Sequence, residues 1–177
     1  VRGWIGAGNP PPLLLTLDEW RGRADVFAIE YSDLLERHRV LHGELPLAGV
    51  TVKRRDLRLQ LEAEVMGKLL RFRRGVMSAA GNSDRMRSLL DESLSSMLAL
   101  LRATAHLHGE VAPESSEALC DRVAGLAGFS PTAFRTVLEH RRGAHKLRDD
   151  EVDAVVPGYL DALERLVAHV DTIVVDG

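Results

Sequence analysis

Leu57, Leu61, Val65, Leu69, Phe72 and Val76 follow one another at intervals of three and four residues. Side chains so spaced share one stripe of an α-helix, whereas a strand, with its period of two, scatters them over both faces. The pattern predicts a long helix from Arg54, closed by Ala79 to Asn82. Ser83 is placed to cap a second long helix, Asp84 to about His108, with Met86, Leu89, Leu90, Leu94, Met97, Leu98 and Leu101 turned inward. Gly109 ends it, and Pro113 opens a third helix, about Glu114 to Ala127. Gly128-Phe129-Ser130-Pro131 reads as a stop and restart, with Ser130 as N-cap, Pro131 at the first helical position and Phe129 stapled to Phe134. That fourth helix runs to about Arg141, and Gly143 to Arg148 forms a basic loop. Asp149 starts the last helix, through about Thr172, with Pro157 inside it as a kink point. Long helices on short connectors favour an antiparallel bundle. The fold class expected is therefore mainly α, a bundle of four to five helices.

The first fifty residues differ in character. Trp4 and Ile5 read as the end of an apolar helix, stopped by Gly8 and Asn9, and Pro10 to Pro12 force an extended segment. Thr16 and Glu19 form a capping box for a short helix, Leu17 to Gly22. Val26 to Tyr31 reads as a short buried strand, followed by a helix that Ser32 or Asp33 caps and that ends near Leu41. Gly43 to Lys53 is loop-like, with a β-branched run at Val50 to Val52. The organisation expected is a short α/β remnant over residues 1–50 and a helical bundle over residues 51–177. An apolar helix without its beginning, and Val rather than Met at position 1, lead us to expect a fragment of a longer protein.

With 177 residues, 45% of them hydrophobic, the chain can bury one real core. Its net charge of -3 gives no support to bulk binding of nucleic acid or anionic membrane. The single cysteine, Cys120, excludes an internal disulfide framework and suits a reducing compartment. No apolar run reaches the roughly 18 residues of a membrane span, and no signal-peptide pattern is present, so a cytoplasmic protein is expected.

Glu30, between Ile29 and Tyr31, is the first residue to question. A carboxylate in an apolar strand is costly unless it is paired, hydrogen-bonded or bound to metal. Nucleotidyl transfer uses such carboxylates to hold a divalent metal against a triphosphate; the plain alternative is an edge strand in water or an ion pair with Arg37. Arg54, Arg55, Arg58, Lys68, Arg71, Arg73 and Arg74 share one predicted helix with Glu62 and Glu64. Lys68 and Arg71 lie on one face and could reach a triphosphate, although a solvated face explains them as well.

Two weaker patterns follow. Arg102 and His108 have the spacing of the Arg-x(4–6)-His motif and resemble that signature of HEPN ribonucleases. The segment from Cys120 to Gly143, with Arg141, Arg142, Lys146 and Arg148, mimics a helix-turn-helix, although Phe134, Val137 and Leu138 suit packing. No His or Cys spacing suggests zinc.

PPPLLLTLDEW, ADVFAIEYSDLLERHRVLHG and DLRLQLEAEVMGKLLRFRRG, with the later SLLDESLSSMLALLRA and YLDALERLVAHVD blocks, together resemble the C-terminal part of bacterial proteins with a nucleotidyltransferase domain of the DNA polymerase beta-like superfamily. The resemblance implies that Glu30 matches the third metal-binding acid. It raises Arg58 and Lys68, with Arg71 beside Lys68 on the same face, as nucleotide contacts, and it implies Mg2+ and a nucleoside triphosphate as cofactors of the intact protein. The Gly-Ser turn and Asp-x-Asp pair of that superfamily are absent; Gly81-Asn82-Ser83-Asp84 lies between two predicted helices. The chain alone is thus expected to be inactive and to bind neither cofactor tightly. Its expected partners are a catalytic N-terminal core and an unknown acceptor substrate. The alternative is a non-catalytic interaction module, which could form a homodimer.

Overall fold

In a computed structural model, residues 2–7 and 14–175 are described. Eight helices occur among them: α1 (Arg2–Gly6), α2 (Leu17–Gly22), α3 (Ala28–Glu36), α4 (Arg54–Ala79), α5 (Ser83–Leu107), α6 (Ser116–Ala127), α7 (Thr132–Arg141) and α8 (Asp149–Thr172). The stop at Gly8 and Asn9 and the extended Pro10 to Pro12 fall outside the described residues.

The stripe on α4 is buried as its spacing requires: Leu57, Leu61, Val65, Leu69 and Phe72 all face the core. Ala80, at φ 49°, and Gly81, at φ 78°, reverse the chain in three residues, so α5 returns antiparallel beside α4. The Asn82 side chain caps α5 by accepting from the Arg85 N–H at 3.0 Å. The two helices approach closely at Gly75, where a Cβ would stand only 2.6 Å from a Leu89 methyl.

α8 packs against both long helices. Its start is tied to the start of α5 through Arg87 and Asp149 at 2.7 Å. Its C-terminal carbonyls, Asp171 and Ile173, accept from Arg58 near the start of α4 at 3.0 and 2.7 Å. Thus α8 runs antiparallel to α4 but parallel to α5, and the α6–α7 pair carries the chain back. The α6–α7 corner turns at Gly128, at φ 72°, and the Phe129 ring meets Phe134 edge-on at 5.8 Å. Pro131, rather than Ser130, is the N-cap of α7. α8 continues through Pro157. Tyr159 at its middle is fully buried, stacked on Phe72 at 4.8 Å, edge-on to Phe134 at 4.6 Å, and donates to Ser93 Oγ at 3.1 Å. The mainly helical bundle is therefore the architecture observed.

The strand expected at Val26 to Tyr31 is a correction. No strand occurs among the described residues, and this stretch enters α3. Val26 and Phe27 are largely exposed, whereas Ala28 and Tyr31 are buried and Leu35 is partly so, a helical spacing. A run of six residues does not separate period two from period 3.6. A solitary strand leaves its backbone groups unpaired, while a helix closes its own ladder. Nor is Val50 to Val52 a strand, so the α/β remnant has no β component here.

A second, small cluster forms from Trp20, Ala24, Tyr31 and Val50. Trp20 stacks on Tyr31 at 4.4 Å and donates to the Pro46 carbonyl at 2.7 Å; Tyr31 donates to the Trp20 carbonyl at 2.8 Å. The capping box at Thr16 and Glu19 holds α2 as its sequence requires. Among the described residues no helix is long and apolar enough to cross a membrane.

Candidate functional site

Glu30 stands in the first turn of α3 and is exposed. Its Oε2 accepts from Gln60 Nε2 at 3.0 Å, and the other end of that amide accepts from the Ile29 N–H at 2.8 Å. Gln60 thus clips the start of α3 to α4 and leaves the Glu30 carboxylate facing outward, without an arginine. Beside it Val26, Phe27 and Leu34 are exposed.

The basic residues raised with Glu30 are engaged in different places. Arg58 donates to the end of α8 and pairs with Glu62 at 3.0 Å. Lys68 and Arg71 do meet: with Phe72, Leu89, Glu92 and Ser93 they line an open hollow of about 250 Å³ between α4 and α5. Lys68 hydrogen-bonds Ser96 Oγ, and its ammonium is pushed below the ordinary lysine value by burial and then by Arg71. Arg71 is 3.6 Å from Glu64.

A Mg2+ ion takes near-octahedral oxygen ligation and uses carboxylates together with phosphates. Among the described residues no three His, Cys, Asp or Glu side chains gather as a metal site. One exposed carboxylate does not fit that ion by itself.

The densest polar constellation lies between α3 and α5. Asp33 and Glu36, a turn apart, face Arg102 and His106, also a turn apart. Arg102 grips Asp33 with two near-parallel bonds, Nε to Oδ1 at 2.8 Å and Nη2 to Oδ2 at 2.9 Å. His106 Nε2 approaches Glu36 Oε2 to 2.8 Å, yet out of hydrogen-bond alignment, so both buried atoms are left without a hydrogen bond. The other Glu36 oxygen accepts from the Ala112 N–H at 3.2 Å, while Arg37 donates to the Ala112 carbonyl. Glu36 and His106 open on a cleft of about 400 Å³ that Ser32, Arg54 and Glu110 also line. Chemically this is an Arg102–Asp33 ion pair beside a Glu36 carboxylate set against the His106 imidazole and the Ala112 N–H at a cleft wall, and these contacts fasten α3 to the bundle. Acids at i, i+3 opposite a basic pair at i, i+4 were the available signal; nothing in the sequence says that the two helices meet.

The ribonuclease-like pair separates. Arg102 is held by Asp33, whereas His108 stacks on His169, their Nε2 atoms 2.9 Å apart. The basic loop after α7 is also occupied: Arg141 donates to Ser95, Arg142 pairs with Glu117, and Arg148 pairs with Asp150. Phe134, Val137 and Leu138, on the helix a DNA reader would present, are buried. Cys120 is buried too, its thiol pushed up to about 12 by that burial, so it is a core residue and a poor nucleophile.

Compared with protein-family models, curated proteins and solved structures, the chain matches none.

Proposed function

We propose that this chain is the helical, acceptor-facing part of a metal-dependent nucleotidyltransferase, and that Glu30 supplies one carboxylate to a metal site whose other ligands lie outside residues 1–177. The observation that carries this reading is the outward Glu30 carboxylate set in unburied apolar surface. Among the described residues seventeen large apolar side chains are exposed, and eleven of them, including Val26, Phe27, Leu34, Val40 and Leu41, precede residue 50. Leu34, Val40 and Leu41 line one open hollow with Leu14 and Leu45, an apolar surface of the kind made to be covered. A catalytic α/β core docked there would cover the patch and bring further acids beside Glu30. The block from Ala24 to Gly43, which carries the sequence resemblance, builds that same surface.

Within this reading Lys68 and Arg71 offer cationic groups for phosphate at the α4–α5 hollow, and the bundle shapes the acceptor pocket. The test supplies an α/β nucleotidyltransferase unit, either as the remainder of the same gene product or as a separate chain. Binding of a nucleoside triphosphate is then titrated with and without Mg2+. Glu30→Gln is expected to weaken the Mg2+-dependent part about tenfold or more, since losing even a partner that only orients a metal ligand has that scale. Mg2+-independent behaviour, or no effect of Glu30→Gln, sinks the transferase reading and leaves a non-catalytic helical module.

A further inference from the structure

α4 carries two apolar faces. The inner one is the core stripe. On the opposite side Leu59, Ala63, Met66, Leu70 and Met77 are all exposed, with Leu59 at 52%, Met66 at 42%, Leu70 at 48% and Met77 at 71%. With Arg73 between the last two, these positions step by 4, 3, 4, 3 and 4 residues, the alternation of a coiled-coil seam. Neither α5 nor α8 covers this face. α5 meets α4 at Gly75 and Lys68, and α8 reaches it beside Arg73 through Glu164. A helix packed into a bundle needs one such stripe; the second is surplus to the fold.

We propose that the outer face of α4 is a homodimer interface in which two copies pair their α4 helices antiparallel. The charges choose both occupant and direction. An antiparallel pair centred near residue 68 sets Met66 of one copy against Leu70 of the other, and Leu59 against Met77. In that register Glu62 lies on the same flank as Arg73 of the second copy, and by symmetry the contact is made twice. A parallel pair would instead stack Arg73 on its own equivalent within the seam. Glu62 and Arg73 now pair with Arg58 and Glu164 in the same chain, at partly exposed sites worth little, so the exchange is cheap. From Leu59 to Met77 the seam is about 27 Å long at the rise of an α-helix. This interface is independent of the transferase reading, since it uses neither Glu30 nor the apolar surface around it.

Sedimentation of the whole chain tests the proposal. A dimer of twice 19.5 kDa is expected at about 10 µM or above, the range in which a modest interface is populated. Leu70→Glu, at an exposed position, is expected to give a monomer with unchanged helicity and unchanged melting when measured on the monomer. Glu62→Arg and Arg73→Glu are each expected to weaken the dimer, by about tenfold, and their combination to restore it. Mixing Met66→Cys and Leu70→Cys chains is expected to give a hetero-disulfide; Cys120 is buried and does not compete. A monomer at about 100 µM overturns the proposal. A dimer indifferent to Leu70→Glu overturns it as well, and so does a charge exchange that fails to restore pairing.

Discussion

The helical body and the segment in front of it use the same kinds of apolar residue to different ends. In the body, α4, α5 and α8 each pack against the other two, and α6 and α7 close the remaining side. Each long helix therefore has a partner for its inner stripe, and one contiguous core results. Residues 14–53 have α2, a single two-and-a-half-turn helix and a loop. Their own cluster is limited to Trp20, Ala24, Tyr31 and Val50, and they leave most of their large apolar side chains outside. Ala28 and Ile29 join the main core, and side-chain hydrogen bonds and ion pairs add to that small shared area: Gln60, Arg102 and the Glu36–Ala112 contact hold α3 to the bundle. Apolar burial scales with the area two elements share, and a short element alone cannot share much.

Four perturbations would break or sharpen this contrast. Phe134→Ala, in the fully buried centre against Tyr159, is expected to cost about 3–5 kcal/mol in global unfolding by denaturant, since it removes a large ring and leaves a cavity. A loss under about 1 kcal/mol would mean that the body is loosely packed. Arg102→Met strips Asp33 of its clamp and is expected to cost up to about 1.5–3 kcal/mol, the scale of hydrogen bonds to charged groups, reduced by partial exposure. The loss should fall on α3, read as faster amide exchange there than in α4. Thr16→Ala removes the capping box of α2 and is expected to cost about 1 kcal/mol, confined to residues 14–53. An equal drop in the stability of α5 would show that the segment and the body unfold as one.

The smallest effect is in pH. Burial, and next the neighbouring His108, hold the His169 imidazole below its ordinary value of 6.5. The unfolded chain therefore binds this proton more readily than the folded one. The contribution is whole above pH 6.5 and fades as the pH falls through the folded value. His169→Phe should flatten the decline of the denaturation midpoint below pH 6.5; an unchanged slope would assign that decline to other groups.

Much of the body was legible in the order of residues. The stripe from Leu57 to Phe72, the stop at Gly109 and the Phe129–Phe134 staple are local features, and local features act within a few residues of chain; the cap of α5 is Asn82, one residue before the expected Ser83. The site was less legible. Glu30 lies in the first turn of a helix where the sequence suggests a strand, because the run from Val26 to Tyr31 is too short for its period to decide. Its partner is Gln60, thirty residues away, a contact that no spacing announces. Lys68 and Arg71 do share a face, as an i, i+3 pair on a helix must. Arg58 is engaged instead at the end of α8, which only the packing of α8 against α4 could arrange.

By itself the sequence determined that residues 54 to 172 form helices joined by short connectors and which stripes of α4 and α5 turn inward, because both follow from the geometry of a few residues of chain. Tertiary structure alone decided that α8 runs parallel to α5, that α3 is a helix clamped through Asp33 and Glu36, and that the second stripe of α4 is left bare. Those outcomes depend on which surfaces compete for the same neighbours, and that competition is settled among elements far apart in the chain.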